Sequence, residues 1–154
     1  MTLAIGDAIP AVKLLDADGA AIDLAAMKGA PLIVYFYPKA DTPGCTVEAQ
    51  DFTRLAPDFA HLKAQVLAVS RDAPAKLCKF RDKYGLTVRL ASDEDGAVCE
   101  AFGTWVEKQN YGRTYMGIER STFLFGADGK LAKEWRKVRV KGHADAVLEA
   151  AKAL

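Results

Sequence analysis

The sequence predicts an α/β fold: a central mixed β-sheet flanked by helices, with an N-terminal β-hairpin. Three observations carry this prediction. Short apolar runs of strand length alternate with helical spacings through the N-terminal part of the chain. The run Leu32-Ile33-Val34-Tyr35-Phe36-Tyr37 is apolar throughout, which marks a strand covered on both faces. Nearer the C-terminus, the turn Ala127-Asp128-Gly129-Lys130 joins two strand-like runs, so part of the sheet is antiparallel.

Val12 to Leu15 and Ala21 to Leu24 flank Asp18-Gly19 and form the first hairpin. Leu32 to Tyr37 is a central strand. Pro/Gly punctuation follows as far as Gly44, after which Ala49, Phe52, Leu55 and Phe59 recur at helical spacing. Val66 to Val69 is a second buried strand. Asp72 is expected to cap a helix with Pro74 in its first turn and Leu77, Phe80 and Tyr84 as its apolar stripe. A short strand near Val88 to Ala91 and a helix near Gly96 to Phe102 come next. Ser121 to Phe125 and Leu131 to Trp135 form the second hairpin, and Ala144 to Leu154 a terminal helix. This order is the layout of a thioredoxin-like domain, and residues 1–154 are read as one domain.

Of the 154 residues, 51% are hydrophobic and 27% charged, the balance of a chain that folds around its own core. The net charge of +1 gives no electrostatic reason to expect a nucleic-acid partner. The run Trp135-Arg136-Lys137-Val138-Arg139-Val140-Lys141 alternates charged and apolar residues, which predicts a half-buried strand with a solvated face. No apolar run reaches the length of a membrane span, and the first residues lack a secretory pattern. Three cysteines without a repeated spacing argue for a reducing compartment, so a cytoplasmic location is expected. His61 and His143 lie far apart, no ligand pair has zinc spacing, and no metal or cofactor is expected. They are read as an exposed helix residue and a residue at a helix start. Trp105 and Trp135 are read as packing residues.

Each cysteine has a different setting. Cys45 follows a strand and a Pro/Gly turn and opens a helix, where unpaired backbone N–H groups favour a thiolate. Thr42, three positions earlier, is placed to turn its hydroxyl toward the sulfur. Gly44 permits close approach of a small substrate, and Pro38 and Pro43 stiffen the loop. On position alone, Cys45 is either a reactive thiol or a small buried packing residue. Cys78 stands one position, about 100°, off the apolar stripe of its helix, beside Arg81 and Asp82, and is expected to be partly exposed. Cys99 is spaced from Phe102 for packing and is read as structural.

The wider motif narrows these readings. Pro38, Thr42 and Cys45 stand as Pro-x-x-x-Thr-x-x-Cys, which resembles the active-site signature of the peroxiredoxins. The segment Tyr35 to Ala49 resembles the peroxiredoxin Q branch, also called bacterioferritin comigratory protein. The likeness continues through Val69-Ser70-Arg71-Asp72, Leu90-Ala91-Ser92-Asp93, Tyr111 to Phe123 and Trp135-Arg136-Lys137-Val138.

That resemblance implies a thiol peroxidase of hydrogen peroxide and organic hydroperoxides. Cys45 would be the peroxidatic cysteine, oxidised to a sulfenic acid. Thr42 would hydrogen-bond the peroxide and the sulfur, and Arg120 would supply positive charge. Pro38 would shield the sulfur from water. Glu48 would orient Arg120, or would simply be a favourable acid near a helix start. The reductant implied is thioredoxin, with a glutaredoxin as the alternative, and the molecule would be a monomer.

The sequence departs from the branch in one respect. Many members place a resolving cysteine five residues after the peroxidatic one, where this chain has Gln50. Some resolve from the helix that carries Cys78, which implies a Cys45–Cys78 disulfide. The first turn of the Cys45 helix would then unfold locally to bring the sulfurs within bonding range. The alternatives are a one-cysteine peroxidase served by an external thiol and, from a different class, a non-catalytic binding or holdase domain. A Cys-x-x-Cys disulfide exchanger is disfavoured because that motif is absent.

Overall fold

The computed structural model describes residues 3–154. Strands β1 (Lys13–Asp16) and β2 (Ala21–Asp23) form the N-terminal hairpin, followed by a 3-10 turn at Leu24–Met27. Then come β3 (Leu32–Phe36), α1 (Pro43–Arg54), α2 (Ala56–His61), β4 (Gln65–Ser70), α3 (Pro74–Tyr84), β5 (Arg89–Ser92) and α4 (Ala97–Phe102). The chain finishes with β6 (Trp105–Asn110), β7 (Arg113–Ile118), β8 (Ser121–Phe125), β9 (Leu131–Trp135) and α5 (His143–Lys152).

Seven strands make one sheet in the order β2-β1-β5-β4-β3-β8-β9. Strand β3 pairs in parallel with β4 and antiparallel with β8, and β4 pairs in parallel with β5. Right-handed crossovers through helices suit the parallel pairs, and tight turns suit the antiparallel ones. The apolar run of β3 is explained by its central place. Ile33, Tyr35 and Tyr37 face a cluster that includes Phe52, Phe59, Leu77, Phe80 and Val147. Leu32, Val34 and Phe36 face a second cluster, with Phe102, Phe123 and Phe125. The mixed sheet between helical layers is the thioredoxin-like arrangement expected.

Several local expectations need correction. The helical spacing from Ala49 to Phe59 spans two helices, with the chain turning at Leu55 because Pro57 has no N–H to continue the first. Asp72 does not cap α3: Ala73 holds that position without a side-chain cap. The Asp72 carboxylate instead accepts hydrogen bonds from Ala40 N and Ser70 Oγ, both at 2.8 Å. The basic run is not a strand beyond Trp135. Lys137 takes a left-handed φ of 47°, and Arg136 donates to the carbonyls of Gly103 and Phe102 at the end of α4. Strands β6 and β7 form a separate two-stranded sheet that the sequence analysis did not anticipate.

Candidate active site

The register of the sheet assembles the site. Phe36, the last residue of β3, pairs with Ser121, the first of β8. Arg120 therefore emerges at the end of the sheet from which the loop 38–42 departs. That loop leads into α1, whose third residue is Cys45. Cys45 is a free thiol only 2% exposed. Arg120 Nη2 donates to its sulfur at 3.3 Å. Arg120 Nη1 is held by Glu48 Oε1 at 2.6 Å. Glu48 lies one turn after Cys45 on the same helix and is 1% exposed. Burial pushes its carboxyl up to about 7, against the opposing pull of Arg120. A short ion pair and a raised carboxyl value look contradictory. They are reconciled by Glu48 Oε2, which is buried without a hydrogen-bond partner, so the desolvation of the group is only half offset.

Gly44 has a role beyond the one its sequence position suggested. A Cβ built there would stand 3.3 Å from Arg120 Nη2, so the bare backbone makes room for the guanidinium. Thr42 occupies the cap position of α1, but its hydroxyl donates to Lys39 O at 2.8 Å and not to the Cys45 sulfur. That bond commits the hydroxyl proton and leaves oxygen lone pairs as acceptors. Pro38 is solvent-exposed.

The loop is also anchored to α3. Asp41, in the left-handed region at φ 63°, accepts from Lys83 Nζ at 2.9 Å and from Tyr84 Oη. Cys78, on the same helix, is half-buried, as its offset from the apolar stripe predicts. Its sulfur accepts from Arg81 Nη2 at 3.2 Å. Cys99 is fully buried among apolar residues, and burial pushes its thiol well above the ordinary value. The structure thus groups Cys45, Arg120, Glu48, Gly44 and Thr42, sets Cys78 on a neighbouring helix, and seals Cys99 in the core.

Sequence reasoning missed Lys108, on β6. It is half-buried, and burial, followed by the charge of Arg120, holds its ammonium below the ordinary lysine value. No local motif marks it, because the hairpin that carries it was itself not foreseen.

Comparison with known proteins identifies the family. Residues 5–134 match the AhpC/TSA family, and the chain belongs to that family: it is a peroxiredoxin, a thiol peroxidase. Within the family it is similar to proteins of the Bcp, or peroxiredoxin Q, branch. Peroxiredoxin Bcp of Bacillus subtilis is 45% identical over 152 residues, covering 99% of this chain and 97% of the relative. Peroxiredoxin Bcp of Xanthomonas campestris is 49% identical over 135 residues, covering 88% and 84%. A cysteine mutant of PrxQ from Xylella fastidiosa superposes with a TM-score of 0.94 at 38% identity, covering 99% of this chain and 98% of the other. The Xanthomonas campestris bacterioferritin comigratory protein, described for its alkyl peroxide reduction, gives a TM-score of 0.89 at 45% identity, covering 96% and 98%. Among the described residues, no helix is long and apolar enough to cross a membrane.

Proposed function

We propose that Cys45 is the peroxidatic cysteine and that Cys78 resolves its sulfenic acid as a Cys45–Cys78 disulfide, which thioredoxin reduces. The observation that carries the first half is the contact of Arg120 Nη2 with the buried Cys45 sulfur at 3.3 Å. A fixed guanidinium and the start of α1 together stabilise negative charge on the sulfur. The thiolate attacks the nearer peroxide oxygen, and charge moves toward the farther one. Arg120, pinned by Glu48, stabilises both ends of that shift with rigid donors. Thr42 Oγ1 accepts a hydrogen bond from the peroxide hydroxyl, since its own proton is engaged by Lys39. Pro38, exposed at the start of the loop, is assigned the role of shielding the sulfur from water. Hydrogen peroxide and organic hydroperoxides both fit this chemistry.

For the second half, Gln50 excludes a partner within α1, and the burial of Cys99 makes it a poor attacking thiol. Cys78 is half-buried, and α3 is already tied to the Cys45 loop through Asp41. Bond formation requires the first turn of α1 to open. The protein would act as a cytoplasmic monomer. Oxidation with one equivalent of peroxide followed by peptide mapping tests this reading. A Cys45–Cys78 bridge is expected. A Cys45–Cys99 bridge, or a stable sulfenic acid that only an external thiol removes, would overturn the resolving role of Cys78.

A further inference from the structure

Cys78 has a counterpart of the contact that marks Cys45. Arg81, one turn further along α3, donates from Nη2 to the Cys78 sulfur at 3.2 Å. Arg120 makes the same kind of contact with Cys45 at 3.3 Å. In each case a carboxylate anchors the guanidinium: Glu48 holds Arg120, and Asp18 holds Arg81. Asp18 lies in the turn between β1 and β2, and Arg81 Nη1 donates to both of its carboxylate oxygens at 3.1 Å. Arg81 Nε donates to Asp82 Oδ1 at 3.2 Å. A single ion pair at a surface is weak, because two long side chains must be ordered to make it. Here two carboxylates grip one rigid fork, so Nη2 is presented to the sulfur in one orientation. Asp16 of β1 and Arg89 of β5 line the same recess and pair with each other at 3.5 Å. Core packing does not account for the arrangement, since Cys78 lies off the buried stripe of Leu77 and Phe80.

We propose that Arg81 stabilises Cys78 as the thiolate that attacks the Cys45 sulfenic acid, and that Asp18 positions Arg81 to do so; this rests on the resolving reading of Cys78. The thiolate, not the thiol, is the nucleophile in such a step. The Cys78 thiol donates to Asp82 Oδ2 at 3.8 Å, so that carboxylate is placed to pass its proton to solvent. Asp82 by itself would disfavour a second negative charge beside it, and Arg81, which contacts both groups, offsets this. A lone pair of the Cys78 sulfur forms the S–S bond to Cys45. The S–O bond of the sulfenic acid breaks with its electron pair on oxygen, which takes up a proton and leaves as water. The Cys45 sulfur is reduced in this step and the Cys78 sulfur oxidised. The tie to Asp18 also fastens α3 to the N-terminal hairpin, so Cys78 keeps its place while the first turn of α1 opens.

The test follows the second step of the cycle by rapid quench. Reduced full-length protein is mixed with one equivalent of hydrogen peroxide and stopped in acid, and mass spectrometry reads the conversion of the Cys45 sulfenic acid to the disulfide. Near neutral pH, Arg81→Gln is expected to slow this conversion roughly tenfold and Asp18→Asn roughly threefold. Arg81→Lys, which keeps the charge, should recover most of the rate. The loss in Arg81→Gln should shrink to within about twofold near pH 9.5, where a thiol ionises without help. A loss of equal size at both pH values would mean that Arg81 only holds α3 in place, and no loss would mean no role. Either result overturns the proposal. Peptide mapping of the oxidised parent separates this from the reading beneath it. A Cys45–Cys78 bridge that forms equally fast without Arg81 removes Arg81 alone, whereas a parent that forms no such bridge removes the resolving role of Cys78 and that of Arg81 with it.

Discussion

At the scale of residues, the contact of Arg120 with the Cys45 sulfur depends on a single half-satisfied carboxylate. Glu48 pins Arg120 through Oε1 and leaves Oε2 buried and unpartnered. Its carboxyl is raised from 4.5 to about 7, chiefly by burial. A group whose folded value is raised gives stability that is complete below about 4.5 and lost as pH rises through about 7. The ionised form that Arg120 needs is thus the form that costs the fold. Glu48→Gln should separate the two effects. By urea unfolding, its stability relative to the parent is expected to rise across that window, by on the order of 3 kcal/mol. Its peroxide rate should meanwhile fall roughly tenfold, because an amide holds the guanidinium less firmly. A stability difference that stays flat with pH would show that Glu48 does not titrate there.

At the scale of elements, legibility followed the range of the interactions involved. Strands β3, β4 and β8 were readable because burial on both faces demands continuous apolar runs. Helix α3 was readable from its apolar stripe, and its half-buried cysteine from the offset to that stripe. The Cys45 loop was readable as a motif, and Arg120 through the resemblance. The contact that explains Gly44 was not, because it joins residues far apart in the chain and depends on the β3–β8 register. Hairpin β6–β7 was missed for a local reason. Its turn puts Tyr111 at φ 51° and Gly112 at φ 76°, the geometry of a type I′ turn. Tyrosine stands where asparagine, aspartate or glycine would have signalled the turn. Gly112→Ala is expected to weaken the hairpin by about 1 kcal/mol. Because β6–β7 is separate from the seven-stranded sheet, the effect should be local. Hydrogen exchange of the cross-strand amides in β6 and β7 should speed up about fivefold, with the amides of β3 and β4 unchanged. Unaltered exchange in the hairpin would contradict this account of the turn.

At the scale of the molecule, one buried histidine links the layers around the site. His143 opens α5 and is only 7% exposed. Its Nε2 shares a 2.7 Å hydrogen bond with Thr122 Oγ1 of β8, the residue paired with Tyr35. Its ring meets Phe52 of α1 edge-on at 6.4 Å and Trp135 of β9 at 5.7 Å. Two helices and two strands therefore converge on a neutral imidazole. Burial, and then the nearby charge of Arg120, lower its value from 6.5 to about 4. For a base lowered in this way, the stability it supports is complete above about 6.5 and lost as pH falls toward 4. The parent protein is expected to lose on the order of 2 kcal/mol across this window from His143 alone, after allowance for residual solvation. His143→Gln keeps a hydrogen-bonding group but cannot take up the proton. It should be less stable than the parent at neutral pH, because the ring contacts are lost, and the gap should narrow as the pH falls. Urea unfolding of both proteins through the window measures the gap directly. A gap that is independent of pH would place the acid sensitivity of the fold on other groups.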